Sequence, residues 1–381
     1  MSSVIDLLND LISIPSVNPS LVPGAPGEAA IAAYIADWLR ARGFDVQVSE
    51  VLPGRPNVVG VLDGRAPGPS VMFCGHVDTV GVGEMEAPYA PQIRDGRLYG
   101  RGAQDMKAGL AAMLHAASGI AARGGLARGR ILVACVIDEE YASAGADAVT
   151  AEWRADAAII TEPTGLTIGI AHKGFSAAEI TVHGRAAHGS RPDEGIDSIV
   201  RMGRVLARLE ARDRELQSSS PVPLLGTGSL HASRIDGGGE LSSYPARCCL
   251  QYERRTLPGE ADTVALDDLV RIADELSAAD QHFRADVRLL LARPPYAIDP
   301  AHPVSQMLAK ACHVHGLHTA FEGLSYWTDA AILSGAGIPT ALFGPRGAGM
   351  HSAEEYVLVD DVLTCRAVLE DAARQLLEHT W

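Results

Sequence analysis

Apolar residues recur along this chain at two periods, and the switches between them outline its architecture. From about residue 3 to 170, stretches with helical spacing alternate with short apolar runs. EAAIAAYIADWLRARG (28–43) predicts a helix that stops at Gly43, a residue suited to the left-handed end of a helix. FDVQVSEV and NVVGVLDG follow as strands, and SVMFCGHVD (70–78) reads as another. After a turn-rich segment at 81–104, MKAGLAAMLHAASGIAAR (106–123) predicts a helix whose small residues allow tight packing on a sheet. RILVACVID (130–138) and DAAIITEP (156–163) are near-continuous apolar runs, the mark of buried strands. Strands separated by helices predict a layered α/β domain with a mixed or mostly parallel sheet.

The pattern changes after His172. GFSAAEITVHG (174–184) alternates like a half-exposed strand, and a helix follows at 196–213. Strands GTGSLHASRIDG and ARCCLQYERRT, a helix at 262–277 and a strand HFRADVRLLL complete a β-α-β-β-α-β order, the ferredoxin-like signature. The β/α pattern resumes at 303 with a helix, IPTALFGP (338–345) and a last helix near 360–378. The expectation is an α/β domain built from residues 1–172 and 293–381, with a ferredoxin-like α+β domain inserted at 173–292.

Composition narrows the class. The chain has 381 residues, enough for two cores, and 47% of them are hydrophobic. A net charge of −15 argues against a nucleic acid or an acidic membrane as partner, since both need a basic surface. Six cysteines are scattered with no CxxC pair, several inside apolar runs, as reduced core residues are. MSSVIDLLNDLI lacks the basic leader of a signal peptide, and no apolar run approaches the roughly 20 residues that span a bilayer. A cytoplasmic protein is the expectation.

Candidate chemistry sits where strands end. In GHVDTV (75–80), His76 and Asp78 are two residues apart, so on a strand they share a face at its carboxyl end, where open α/β sheets bind ligands. Other segments of the larger domain supply Asp105 (GRGAQDMK), Asp138, Glu139 and Glu140 (VIDEEYAS), Glu162 (TEPT) and His351 (GMHSAEEY). Carboxylates with imidazoles and no thiols suit zinc, cobalt or manganese. One carboxylate can bridge two cations about 3.5–4 Å apart, the arrangement of hydrolytic two-metal sites. On extended chain Glu139 and Glu140 point in opposite directions, so one can bind metal while the other takes a proton from water. GRGAQDMKAG lacks the spacing of a phosphate loop, and neither a GxSxG elbow nor a catalytic-cysteine signature occurs.

Taken in order, GHVDTV, LYGRGAQDMKAG, DEE, TEPT and GMHSAEEYV resemble the two-zinc metallopeptidase family of acetylornithine deacetylase, succinyl-diaminopimelate desuccinylase and the glutamate-releasing carboxypeptidase. The resemblance covers nearly the whole chain. It implies that Asp105 bridges two divalent metal ions, zinc or cobalt in its place. His76 and Glu162 would complete one site, and Glu140 and His351 the other. Glu139 would be the general base, and Asp78 would orient His76 by accepting its other ring N–H. It also implies a cis peptide between Asp105 and Met106. The inserted domain would serve dimerisation as a lid. His188 in HGRAAHGSRPDEGIDSI would reach the partner subunit's site to stabilise an oxyanion. Arg255 in ERRTLPGE would hold the substrate carboxylate, with Arg254 the competing assignment. The chain departs from the family at GGGELSSYP, where Ser242 replaces a frequent asparagine. The implied activity is deacylation of an N-acyl amino acid of the acetylornithine kind by a homodimer. Desuccinylase, carboxypeptidase or dipeptidase activity stands beside it, and a non-catalytic metal-binding protein is the remote alternative. The inserted domain speaks against a single-domain two-zinc aminopeptidase.

Overall fold

The apolar runs of the outer segments pair with one another. The computed structural model describes residues 3–318 and 320–379. Its largest sheet runs in the order Asp45–Leu52, Arg55–Asp63, Arg130–Val136, Ser70–His76, Ala157–Ile160, Thr340–Leu342 and Ile168–His172. The four central members of that series are parallel, with His76 opposite Val136, Cys74 opposite Ile160, and Leu342 opposite Ile160. Their carboxyl ends therefore lie along one edge, where His76 ends its strand and the loops that leave the neighbouring strands carry Glu139, Glu140 and Glu162.

The helix Ala108–Ala122 is buried along most of its length, as its small residues predict. A Cβ at Gly109 would stand 1.9 Å from the carbonyl oxygen of Thr161, so only glycine lets the helix seat against the end of that strand. Helices Val359–Glu378 and Val4–Ser13 pack against it, and Leu7, Leu11, Leu114 and Leu369 join the sheet's Val71, Phe73 and Val133 in one core. Ser3 and Asp6 close a capping box on the first helix.

The turn-rich segment 81–104 contains more order than its composition suggests. Gln92–Arg94 and Arg97–Tyr99 form a hairpin, and Arg97–Tyr99 pairs with Tyr356–Leu358, which pairs with Gly347–Ala348. Strands of two or three residues are too short for alternation to show in the sequence.

The chain divides into two compact units, Met1–Ile170 with Ile298–Glu322 and Thr328–Trp381, and Ala171–Ala297 with Gly323–Trp327. The second unit holds an antiparallel sheet in the order Ser229–Gly237, Arg247–Thr256, Gly174–His183, Arg284–Arg293. Helices Ser198–Gln217 and Val264–Ala279 bury Ile180, Val182, Leu250 and Tyr252 beneath Met202, Val205, Leu269 and Ile272. This is the ferredoxin-like arrangement expected from the element order. The short return Gly323–Trp327 belongs to it because Trp327 lies edge-on to His172 and Phe175 and donates its indole N–H to Pro294 O at 3.0 Å. All six cysteines are buried as thiols, and no helix among the described residues is long and apolar enough to cross a membrane.

Candidate metal centre

Five segments of the first unit, one strand end and four loops, bring His76, Asp105, Glu139, Glu140, Glu162 and His351 together. His76 ends its strand with a side chain only 1% exposed. Its Nδ1 lies 3.0 Å from the backbone carbonyl oxygen of Asp78, which can only accept, so Nδ1 carries the hydrogen and Nε2 is left to face the acids. The Asp78 carboxylate is farther, at 3.6 Å, so the peptide carbonyl, not the carboxylate, orients the ring. That carboxylate accepts instead from the amide N–H groups of Glu139 and Glu140, both at 3.2 Å, and from Asn18 Nδ2 at 2.8 Å.

Glu139 and Glu140 do not lie on extended chain. Asp138 adopts a left-handed conformation with φ of 68°, and its carbonyl oxygen accepts the amide N–H groups of Tyr141, Ala142 and Ser143. The pair is thus set on a turn, and the divergence expected of a strand arises from the turn instead. Glu139 approaches His76 Nε2 at 4.0 Å, while Glu140 Oε2 lies 3.1 Å from His351 Nε2.

Asp105 stands between the two histidines. Its Oδ1 is 3.1 Å from His76 Nε2 and its Oδ2 is 3.4 Å from His351 Nε2. Glu162 Oε1 is 3.7 Å from His76 Nε2. Ligand atoms of His76, Glu139 and Glu162 lie within 4.8 Å of one another, as do those of His76, Asp105 and Glu140. The Asp105–Met106 peptide is cis.

The electrostatics of the cluster ask for positive charge. Burial works against the His76 imidazolium, but the Asp105 hydrogen bond and the charges of Glu162 and Glu139 hold its pKa well above the usual value. Hydrogen bonds to Asp105 and Glu140 raise His351 to about 10. Burial pushes Glu139 and Glu162 well above the ordinary glutamate range and raises Glu140 as well. Asp105 is also buried, yet its hydrogen bonds with His351 and His76 keep its carboxyl below the usual value. Oε1 of Glu140 is buried with no hydrogen-bond partner among the described residues. Four acids around two imidazoles, with one carboxylate oxygen orphaned, fit a pair of divalent cations.

Several supporting residues had no chemistry-bearing signature in the sequence. The buried Glu355 carboxylate accepts from Arg101 Nη1 (2.7 Å) and from the amide N–H groups of Gly102 (3.0 Å), Gln104 (2.8 Å) and Asp105 (3.1 Å), and so pins the Asp105 loop. It stands four residues after His351 in the GMHSAEEY motif, the signal that marked the segment. Asp329 is buried, and its negative charge lifts both Glu139 and Glu162.

His188 and Arg255 belong to the second unit. His188 is exposed, its Nδ1 is 2.9 Å from Ser190 Oγ, and its backbone bridges to Ser243. Ser242 accepts the Gly189 amide N–H through its carbonyl oxygen at 2.7 Å. Arg254 is buried and committed to Asp268 and Glu260. Arg255 is more exposed, 2.8 Å from Glu253 and stacked over the Phe175 ring.

Comparison with known proteins places these features in context. The model of peptidase family M20/M25/M40 matches residues 72–375. The chain is 30% identical over 390 residues to acetylornithine deacetylase of Vibrio vulnificus, covering 98% of this chain and 99% of the relative. Its fold is similar to a tripeptidase from Staphylococcus aureus, with a TM-score of 0.82 at 20% identity over 99% of this chain and 98% of the other. A dinuclear metal binding peptidase from Bacillus subtilis gives a TM-score of 0.76 at 18% identity, over 99% and 98% of the two chains.

Proposed function

The chain belongs to peptidase family M20/M25/M40, and from that premise we propose that it is a metal-dependent amidohydrolase that removes the acyl group from an N-acyl amino acid. The observation that carries this reading is Asp105, whose two oxygens each face a different imidazole at 3.1 and 3.4 Å. His76, Asp105 and Glu162 would hold one divalent cation, and Asp105, Glu140 and His351 the second, with zinc or cobalt as the ion. When bound, the cations supply polarisation of the amide carbonyl and a water of lowered pKa.

The remaining work falls to side chains of the protein. Glu139 takes the proton of the attacking water and delivers it to the leaving amine nitrogen. Its place beside the cluster, 4.0 Å from His76 Nε2 on a turn that also carries Glu140, suits a group that takes up a proton there and passes it on. The partner subunit's His188 donates to the oxyanion that develops on the carbonyl, and Arg255 holds the carboxylate of the amino acid as a planar fork. Arg254 is less suited to that role, because Asp268 and Glu260 already occupy its donors. Two exposed sheet edges, Ser229–Gly237 and Arg284–Arg293, support a homodimer through the second unit. The amine is of the acetylornithine kind, in keeping with the deacetylase relative, and a cytoplasmic setting accords with the six buried thiols.

The test separates base from ligand. Glu139→Gln should keep its metal and lose most turnover, because an amide accepts no proton, whereas Glu140→Gln should lose metal affinity. Equal loss of metal in both variants, with excess metal restoring both, would overturn the assignment. A panel of acetyl-, succinyl- and glutamate-capped amino acids, assayed with added zinc or cobalt, identifies the acyl group.

A further inference from the structure

The turn that carries Glu139 and Glu140 is joined to the end of the His76 strand through the Asp78 carboxylate, and that carboxylate is itself held in place by one buried amide. Asn18 Nδ2 donates to Asp78 Oδ2 at 2.8 Å and to Asp138 Oδ1 at 3.1 Å. The residue is fully buried, and its own position is fixed from three sides. Its Oδ1 accepts the Ser20 amide N–H at 2.8 Å, its backbone N–H donates to Thr79 O at 2.9 Å, and its carbonyl accepts from Leu21 and Val22. Asp138, the residue that starts the turn, receives a second support from Arg55 Nη2 at 2.9 Å, and Arg55 in turn forks onto the buried Glu28.

A primary amide nitrogen carries two hydrogens, and here each goes to a different carboxylate. Without it, the buried Asp78 and Asp138 carboxylates lose the one donor that they share, leaving Asp78 tied to the turn by the Glu139 and Glu140 amides and Asp138 held from the Arg55 side. An aspartate at 18 would bring a third carboxylate and no donor. A serine would supply one donor for two acceptors. Only a side chain with two hydrogens on one short planar nitrogen serves both.

We propose that Asn18 is a positioning residue of the metal centre. Acting through Asp78 and Asp138, it holds the turn so that Glu139 faces His76 while Glu140 faces His351. The inference rests on the reading of Glu139 as base and Glu140 as ligand, and its test is arranged to fail separately from that reading.

The variants are Asn18→Ala and Asn18→Ser, the second keeping one donor should the first fail to fold, each made alone and in an Asp78→Asn background. In the metal-free full-length protein, hydrogen exchange should accelerate at the Glu139 and Glu140 amides, which donate to Asp78, while the core of the sheet stays protected. In the cobalt-loaded protein the visible spectrum, which reports ligand geometry, should change. Turnover should fall about 10–100-fold with KM within about twofold, and adding Asn18→Ala to Asp78→Asn should cost less than Asn18→Ala alone, because the route through Asp78 is already weakened and mainly that through Asp138 remains. Unaltered exchange at Glu139 and Glu140 with an unaltered cobalt spectrum in a folded variant would overturn the proposal, as would losses in the double variant that multiply in full, with no coupling between Asn18 and Asp78. The exchange measurement needs no turnover, so it judges Asn18 even if Glu139→Gln shows that another group is the base.

Discussion

Replacing Glu355 with glutamine removes one charge from a buried knot, and the structure sets the size of the effect. The carboxylate receives four donors, two at each oxygen: Arg101 and Gly102 at Oε2, Gln104 and Asp105 at Oε1. Glutamine offers one oxygen and one NH2 group, so whichever way it turns, two buried donors meet a donor. Each stranded donor costs about 1–3 kcal/mol. Arg101 is itself buried, and a buried ion pair that loses one partner costs about 3–5 kcal/mol. These terms overlap, because Arg101 is one of the four donors and keeps its bond to Ser352 O at 3.0 Å. The net expectation is therefore about 3–5 kcal/mol, a large share of the roughly 5–15 kcal/mol that holds a domain together. Urea unfolding of the metal-free protein, followed by circular dichroism, should show a lower midpoint with an unchanged slope. Cobalt affinity should fall as well, because the glutamine oxygen turns to the Arg101 guanidinium, the costlier donor to strand, and leaves the Asp105 amide facing the NH2 group. A loss below about 1 kcal/mol, with cobalt affinity intact, would mean that the four donors are satisfied without the charge and that the reasoning is wrong.

Three further outcomes are expected. His76 and His351 are both held above their ordinary pKa in the metal-free protein, the latter to about 10, so at pH 7 they bind protons that a cation must displace. Calorimetric titration with zinc in buffers of different ionisation enthalpy should therefore show net proton release at pH 7 and weaker binding at lower pH; binding without proton release would contradict it. In the second unit, hydrogen bonds from Arg288 and Gln251 lower Glu179 to about 2. A depressed carboxyl contributes stability that is fully present above about 4.5, the ordinary value, and is lost as pH falls through about 2, so the deficit of Glu179→Gln should shrink over that window. A deficit independent of pH across it would show that the charge is not what matters. Last, His188→Ala and Glu139→Gln are each expected to be nearly inactive, and mixing them under subunit exchange should restore about a quarter of wild-type activity, since half the molecules then carry one intact site of two. No recovery despite demonstrated exchange would place His188 outside the partner's site.

The layered α/β arrangement and the ferredoxin-like unit were legible in the chain because burial on both faces writes an unbroken apolar run, as in Arg130–Val136, and burial on one face writes an alternation, as in Gly174–His183. The acids and histidines that the structure brings together could be picked out of the chain, His76, Glu139, Glu140 and Glu162 because they end apolar runs, Asp105 and His351 because their segments resemble family motifs. Their partners could not be. Nothing local to GMHSAEEY says that Tyr356–Leu358 will pair with Arg97–Tyr99, yet that pairing of very short strands carries Glu355 onto the Asp105 loop and His351 to Asp105. The turn at Asp138 was misread as extended chain, because its left-handed backbone is held by Arg55 and Asn18, residues 83 and 120 positions away. Likewise the Asp78 carboxylate faces the Glu139 and Glu140 amides, and a peptide carbonyl aims His76. Periodicity records how each segment is buried, so the sequence by itself determined the elements, the fold class and the kinds of ligand available. Hydrogen bonds between segments far apart in the chain leave no periodic trace, so only the tertiary structure decided which carboxylate faces which imidazole and what holds it there.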